Sequence, residues 1–300
     1  MTPAATLIDG VGASSLHLPS GDWACLLDFL EQRFPAISRD IWRQRLQDGK
    51  VRDAQGVQLA VDSPYHSGQR IHYYREVADE PRIPFEARIL YRDAHLLLAD
   101  KPHFLPTIPA GRFVRESLLV RLKQQTGLAD LVPLHRLDRE TAGLVLFSRN
   151  PATRDAYSQL FVERRIVKTY EAIAATRDDI GFPLRRRSRL VSAEPFFRMQ
   201  EIEGPANTDT RIDRIEARGA FSRYELQPRT GKKHQLRVHM AALGMPICND
   251  RWYPQLLDQG EDDYRRRLQL LARSLAFTDP ISGLPRHFES QLSLSFSGSR

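Results

Sequence analysis

The segment HRLDRETAGLVLFSRN, residues 135–150, constrains the fold more than any other part of the chain. Its second half, AGLVLFS at 142–148, is a short unbroken apolar run of the kind that forms a buried strand. Its first half sets His135, Arg136, Asp138, Arg139 and Glu140 directly before that run. Burying the strand brings these charges to its entrance. A solvated loop would make them a surface salt-bridge cluster, which is worth little and is the default reading of a charge run. A carboxylate held among arginines at the mouth of a sheet would stay ionised, because nearby cations favour the charged form. Such a group suits a nucleophile and not a general acid.

Three hundred residues suffice for one large domain or two moderate ones, and 41% hydrophobic with 27% charged residues is a globular composition. Lysines and arginines number 44 against 37 acids, a net charge of +7 that favours an anionic partner, nucleic acid being the commonest. Cys25 and Cys248 are far apart and in no Cys-x-x-Cys pattern, so neither a disulfide framework nor a thiolate metal site is indicated. The first twenty residues lack a secretion signal, and no run approaches the ~20 apolar residues that span a bilayer. A reducing, cytoplasmic setting without a membrane is expected.

Residues 1–21 read as a flexible leader. From Asp22, Leu26, Leu27, Leu30 and Phe34 recur at helical spacing, and Pro35 stops that helix. Ser38 can cap a second helix, RDIWRQRLQDG, closed by Gly49. KVRD, VQLAV and SGQRIHYYR read as short strands, completing a small unit over 22–75. Residues 76–88, charged, aperiodic and with two prolines, read as a linker. Beyond it, strands are expected at 89–91 and 95–99, a helix in VRESLLVRLKQQTG, a helix opened by Asn150 and Pro151, and strands in VKTYEAIAA and SRYELQP. HQLRVH alternates as a strand would, with Gln235, Arg237 and His239 on one face and Leu236 and Val238 on the other. Strands and helices interleave without a steady βαβ rhythm, so the class expected is α+β.

Several chemistries find no support. His234 and His239, the closest histidine pair, have the wrong spacing for a helical zinc pair, and no metal site is expected. There is no Gly-x-x-x-x-Gly-Lys-Ser/Thr or Gly-x-Gly-x-x-Gly loop and no Gly-x-Ser-x-Gly elbow. No cofactor is expected. What remains is carboxylate chemistry at Asp138.

HRLDRETAGLVLFSRN closely resembles the His-Arg-Leu-Asp-x-x-Thr-Ser/Ala-Gly-Leu signature of the RluA-type pseudouridine synthases. LLLADKP (96–102), KTYEAIAA (168–175), TGKKHQLRVHMAALGMPICND (230–250) and LLARSLAFTDPISGLP (270–285) are similar to that family's other segments, in family order, over residues 89 to about 290. The 22–75 unit is similar to the small RNA-binding domain named after ribosomal small-subunit protein four, the S-four type. The chain departs from the pattern at Gly231-Lys232-Lys233-His234, where the family has Gly-Arg-Thr-His, at Asn249-Asp250, where it has Gly-Asp, at His103 to Pro106 after Asp-Lys-Pro, and at Leu271, often a histidine. These departures bear on the substrate and on the RNA contacts.

The resemblance implies a pseudouridine synthase fold over 89–300: a mixed, largely antiparallel central sheet with flanking helices and a central cleft. It implies isomerisation of uridine in ribosomal or transfer RNA, with Asp138 as nucleophile, Tyr170 stacking on the flipped uracil and Arg237 in a short pair with Asp138. It also implies RNA contacts by Arg136, which would fill the vacated space, and by His135, Lys232, Lys233 and His234. A cytoplasmic monomer acting on RNA is expected. One alternative is a non-catalytic RNA-binding or ribosome-assembly protein on the same fold. Another is a two-carboxylate glycosidase, with Asp100 or Asp250 as the second acid. Arg185 to Arg189 can touch RNA or stay solvated.

Overall fold

A computed structural model describes residue 7 and residues 10–75, 80–257 and 260–296. Residues 1–6, 8 and 9 of the expected leader and 76–79 of the expected linker lie outside the described residues. The N-terminal unit holds β1 (Ser14–His17), α1 (Leu26–Arg33), α2 (Arg39–Gln47), β2 (Val51–Asp53) and β3 (Arg70–Tyr73), with the strands in the antiparallel order β1-β3-β2. Its core joins Leu26 and Leu30 of α1 to Trp42 and Leu46 of α2 and to Val51 and Ile71 of the sheet. The Ser38 hydroxyl accepts from the Ile41 amide at 3.4 Å, a capping bond that supports the start of α2.

Two segments are more ordered than their composition suggests. Ser14–His17, expected as leader, is a strand on the edge of this sheet. Residues 80–88, expected as a linker, are stitched to the next unit. The Glu80 carboxylate accepts from the amides of Val114, Arg115 and Glu116, Ile83 is fully buried, and Arg121 donates to the carbonyls of Ile83 and Phe85.

The larger unit is built on eleven strands: β4 (Arg88–Arg92), β5 (Leu96–Lys101), β6 (Val132–Pro133), β7 (Ala142–Ser148), β8 (Val167–Ala175), β9 (Leu184–Ser192), β10 (Met199–Ile202), β11 (Thr208–Arg218), β12 (Phe221–Pro228), β13 (Leu270–Thr278) and β14 (Pro285–Glu289). Nine run in the order β10-β9-β11-β12-β8-β13-β7-β5-β4, while β14 pairs with β13 and β6 with β7. Among the described residues every pairing is antiparallel except β13 with β7. Three helices pack on this sheet: α3 (Leu118–Thr126), α4 (Arg154–Val162) and α5 (Gln235–Ala242).

The burial of all seven residues of β7 follows from helices on both of its faces. Val145 and Phe147, with Leu97 of β5, pack on Leu118 and Leu122 of α3, whereas Leu144 and Leu146 pack on Tyr157 and Leu160 of α4. The expected α+β class, with its largely antiparallel sheet, is the class found. Residues 235–242 are a correction: they form α5, not a strand. Its Leu236 and Met240 pack on Ala172, Ala174, Tyr224 and Leu226, and Gln235, Arg237 and His239 are buried as well.

Candidate active site

At the entrance to β7 the chain turns through 135–141, and almost every contact of this turn fixes its backbone. Lys101, fully buried at the end of β5, donates to the carbonyls of Pro102, Leu105 and Arg139 at 3.0, 2.7 and 3.1 Å. Burial pulls its pKa down to about 7, against the pull of the Glu140 and Asp138 charges. Thr107 Oγ1 donates to the Leu137 carbonyl and accepts from the Leu137 amide, at 3.0 and 3.1 Å. His103 Nδ1 donates to the Glu140 carbonyl at 2.7 Å; burial lowers its pKa to about 4, so the ring is neutral. The charged run is thus not a loose solvated loop.

The run divides by role. Arg139 turns away from Asp138, pairs with Asp262 and Glu140, and lies over the rings of Phe104 and Phe113. His135 accepts from the Leu146 amide through Nε2 at 3.1 Å and stacks on Phe161. Burial drops its pKa to about 3, so it holds the turn to β7 as a neutral ring. Arg136 is exposed. Asp138 opens, with its side chain 29% exposed, into a cleft of about 630 Å³ that Arg136, Tyr170, Lys232, Lys233, His234 and Arg237 also line. The structure brings all eight expected site residues to this one cleft.

Arg237 differs from expectation in its pairing. Its Nε and Nη2 donate to the two carboxylate oxygens of Asp250 at 2.7 and 2.6 Å, a bidentate fork. Only Nη1 faces Asp138, at 3.8 Å from Oδ2, and it lies equally far from Glu140 Oε2. Nη1 and Glu140 Oε2 are both buried without a hydrogen bond among the described residues. The short Asp138–Arg237 pair is therefore replaced by an Asp250–Arg237 pair that presents one spare N–H edge toward Asp138. The rings of Trp252 and Tyr253 cover the guanidinium, 4.7 and 5.4 Å from its carbon. Asn249 sits beside Asp250 at φ 63°, a left-handed conformation that Asn tolerates better than most side chains, which accommodates the departure from glycine.

His234 is buried, not displayed to a ligand as a surface cation would be. Tyr253 Oη accepts from the Met199 amide at 2.7 Å and stands 2.9 Å from His234 Nδ1. With the Met199 amide on one accepting side of Oη, a tyrosine proton donated to Nδ1 puts the His234 hydrogen on Nε2, 3.8 Å from Asp138 Oδ1, and this is the tautomer that supports an ionised Asp138. Burial, with Arg237 and Lys233 nearby, lowers its pKa to about 3.

Burial dominates the electrostatics of Asp138 and pushes its pKa above the ordinary 3.8, although Arg237, Lys101 and Lys233 pull it back. This corrects the expectation that neighbouring cations would set its ionisation. Tyr170 bridges two core clusters; burial, then the Asp138 charge, raises its pKa, so its hydroxyl stays protonated. Asp100 accepts from Ser290 Oγ and the Gln291 amide, and Asp250 is taken by Arg237. Neither is a free second acid. Sequence reading missed the roles of Lys101, His103, Thr107 and Asp250. The signals available were the lysine ending the apolar strand LLLADK and the aspartate closing the family-like segment 230–250.

The family described as RNA pseudouridylate synthase matches residues 95–242. An RNA pseudouridine synthase of Synechocystis is 32% identical over 230 residues, covering 76% of this chain and 79% of that protein. The dual-specificity RNA pseudouridine synthase RluA of Yersinia pestis is 32% identical over 217 residues, covering 68% of this chain and 98% of that protein. Among solved structures, human RNA pseudouridylate synthase domain containing 1 shares the fold, with a TM-score of 0.57, 23% identity, and coverage of 73% of this chain and 95% of that one. The chain therefore belongs to the RluA-type family of RNA pseudouridine synthases, a family of isomerases.

Proposed function

We propose that the protein isomerises uridine to pseudouridine at particular positions of ribosomal or transfer RNA, with Asp138 as the nucleophile. The observation that carries this reading is a carboxylate open to a cleft, with Tyr170 on its wall and Arg237 Nη1 at 3.8 Å. In the reaction the bond from ribose C1′ to uracil N1 breaks and a bond from C1′ to C5 forms. C5 gives up a proton and N1 takes one, so no oxidant, reductant or group donor is needed. Asp138 supplies the negative charge at the sugar or the base. Tyr170 stacks on the uracil, and its protonated hydroxyl serves as a hydrogen-bond donor. Arg237 stabilises charge beside the carboxylate without neutralising it through a direct hydrogen bond.

A uridine stacked in RNA must be flipped out, at a cost of a few kcal/mol. Arg136, exposed at the rim, fits the role of filling the vacated space, and Lys232 and Lys233 fit contacts to phosphate. His135 and His234 support the site as neutral rings, not as phosphate contacts. The 22–75 unit adds RNA affinity as an S-four-type domain, supported by its two helices packed on a three-stranded sheet. Among the described residues no helix is long and apolar enough to cross a membrane, and both cysteines are free. We place the protein in the cytoplasm as a monomer.

The test is release of label from C5-labelled uridine in cellular RNA. The parent should release it, and Asp138→Asn should not. Equal release by both would overturn the assignment of Asp138. RNA binding without release by the parent would favour a non-catalytic binding protein.

A further inference from the structure

Beside the cleft runs a second groove of about 940 Å³, lined by β9, β11 and the segments around β8 and β12. The two share Arg164, Lys168 and Arg229, so they form one continuous surface. Six cations line the second groove: Arg164, Lys168, Arg185, Arg187, Arg211 and Arg229. Its one acidic residue, Asp209, is occupied by a bidentate bond from Arg185. Strand alternation sends Arg186 to the opposite face, where it pairs with Glu201, and leaves Arg185 and Arg187 on the groove side. The register sets Arg185 directly across from Arg211, and each holds a carboxylate of its own, Asp209 for Arg185 and Asp213 for Arg211.

Among the described residues the remaining cations of the groove have no carboxylate bonded to them. Several arginines elsewhere on the same sheet do come with carboxylates: Arg214 with Asp178, Arg218 with Glu216, and Arg223 and Arg273 with Glu171. Among the described residues the side chains of Arg164, Lys168, Arg187 and Arg229 have no hydrogen bond and no ion pair. Lys168 is half-buried in this state, where burial and Arg164 both work against its charge. Arg164, Arg187 and Arg229 are exposed, and Asp209 is the one carboxylate of the groove that faces this cation-rich row, which leads out of the cleft and suits a chain of regularly spaced anions.

Resting on the reading above, we propose that this groove holds the phosphodiester backbone of the RNA strand flanking the nucleotide in the cleft. Phosphates would pair with Arg187, Arg229, Lys168 and Arg164. The groove then adds affinity for RNA that extends beyond the target nucleotide, without reading its bases.

The test is RNA binding by the full chain, followed over a range of salt concentrations, for the parent and for Arg187→Ala/Arg229→Ala. Arg218→Ala serves as a control of equal chemistry outside the groove. Single-strand binding loses about 0.7 in log–log salt slope per phosphate released, so the double variant should lower the slope by roughly 1.4 and raise Kd about tenfold. In the label-release assay its KM should rise more than its kcat falls. Arg218→Ala should leave slope and Kd at parent values. Unchanged Kd and slope in the double variant, or an equal loss in Arg218→Ala, would overturn the proposal. Absence of label release by the parent would overturn the catalytic reading alone, because the binding curves report on the groove independently.

Discussion

Arg237 and Asp250 form a bidentate pair sealed from solvent, and that pair, not Asp138, fixes the guanidinium. Asp250 takes Nε and Nη2, and its Oδ1 also accepts from the amides of Trp252 and Tyr253. The carboxylate is thus anchored by backbone amides as well as by the arginine it holds. The result is a cation aimed at Asp138 whose position does not depend on Asp138 being charged.

A lysine at 237 would test this arrangement. An ammonium is a point charge and cannot serve the Asp250 fork while also presenting an edge to the cleft. Arg237→Lys should lower kcat about 100-fold, the scale seen when an oriented charge-stabilising donor is lost, with a smaller change in Kd for RNA. Asp250→Asn should do similar damage to kcat. It should also cost about 3 kcal/mol of stability, since it leaves a buried cation without its counter-charge. Single-turnover label release and thermal melts separate the two effects.

The pH dependence follows from the burial of Asp138. Its pKa is raised, so the folded protein holds that proton to higher pH than the unfolded chain does. The ionised, reactive form is lost as pH falls through a value above the ordinary 3.8, and kcat/KM should rise with pH along a limb displaced upward from there. Lys233 is one of the cations that lower this pKa, so Lys233→Gln should move the limb further up. Linkage gives the sign for stability: above the raised pKa the carboxylate is charged at a cost in the folded state. Asp138→Asn should therefore melt higher than the parent at neutral pH. A limb at the ordinary carboxylate pKa, or a lower melting point for Asp138→Asn, would contradict the burial argument.

Gly143 shows why the apolar strand begins as it does. It lies at φ +112°, and a Cβ there would run into the Ala272 backbone, within 2.7 Å of its amide nitrogen. This is where β13 and β7 run parallel, with Ala272 opposite Gly143. Gly143→Ala should cost more than about 2 kcal/mol, from strain and forced separation of the two strands, read as a shift in the urea midpoint. Alanine at Gly181, which has open space and an ordinary φ, should cost little.

How much of this was legible in the sequence depends on what each segment packs against. β7 was legible because an unbroken apolar run leaves water only when both of its faces are covered, and seven residues is strand length. α1 was legible because its apolar residues fall on one face. α5 was not. Every residue from Gln235 to Met240 is buried, so no polar face marks a helical period, and a six-residue window alternates by accident. β1 was missed because SSLH is a short, half-exposed edge strand with no apolar pattern. The residue set of the cleft was reached through motif resemblance, but not the partner of Arg237. That pairing depends on where α5 and the Asn249 turn meet, which only the tertiary structure decides.

Lys101 holds the turn from the buried end of β5. Its ammonium has three carbonyl acceptors, two of them on the 102–105 segment and one at Arg139. Lys101→Met preserves much of the volume and removes all three bonds. Buried carbonyls left unpaired cost about 1–3 kcal/mol each, so a loss of about 3 kcal/mol is expected. The loosened turn should also displace Asp138, so kcat should fall while RNA affinity, carried by cations elsewhere, changes less. A variant that melts like the parent would show that the turn is held by Thr107 and His103 alone.

Tyr253→Phe isolates the histidine beside the carboxylate. The hydroxyl accepts from Met199 and sets which nitrogen of His234 carries hydrogen. Without it the Met199 amide loses its acceptor, at a cost of about 1–3 kcal/mol, and His234 is free to place its hydrogen on Nδ1. The lone pair of Nε2 would then face Asp138, which disfavours the ionised carboxylate. The acid limb of kcat/KM should move up, as for Lys233→Gln, but with the salt slope of RNA binding unchanged because no phosphate contact is lost. Nitrogen-15 shifts of the imidazole would report the tautomer directly: Nε2–H in the parent, and a mixture in the variant. A parent ring protonated on Nδ1 would remove His234 from the description of the Asp138 environment.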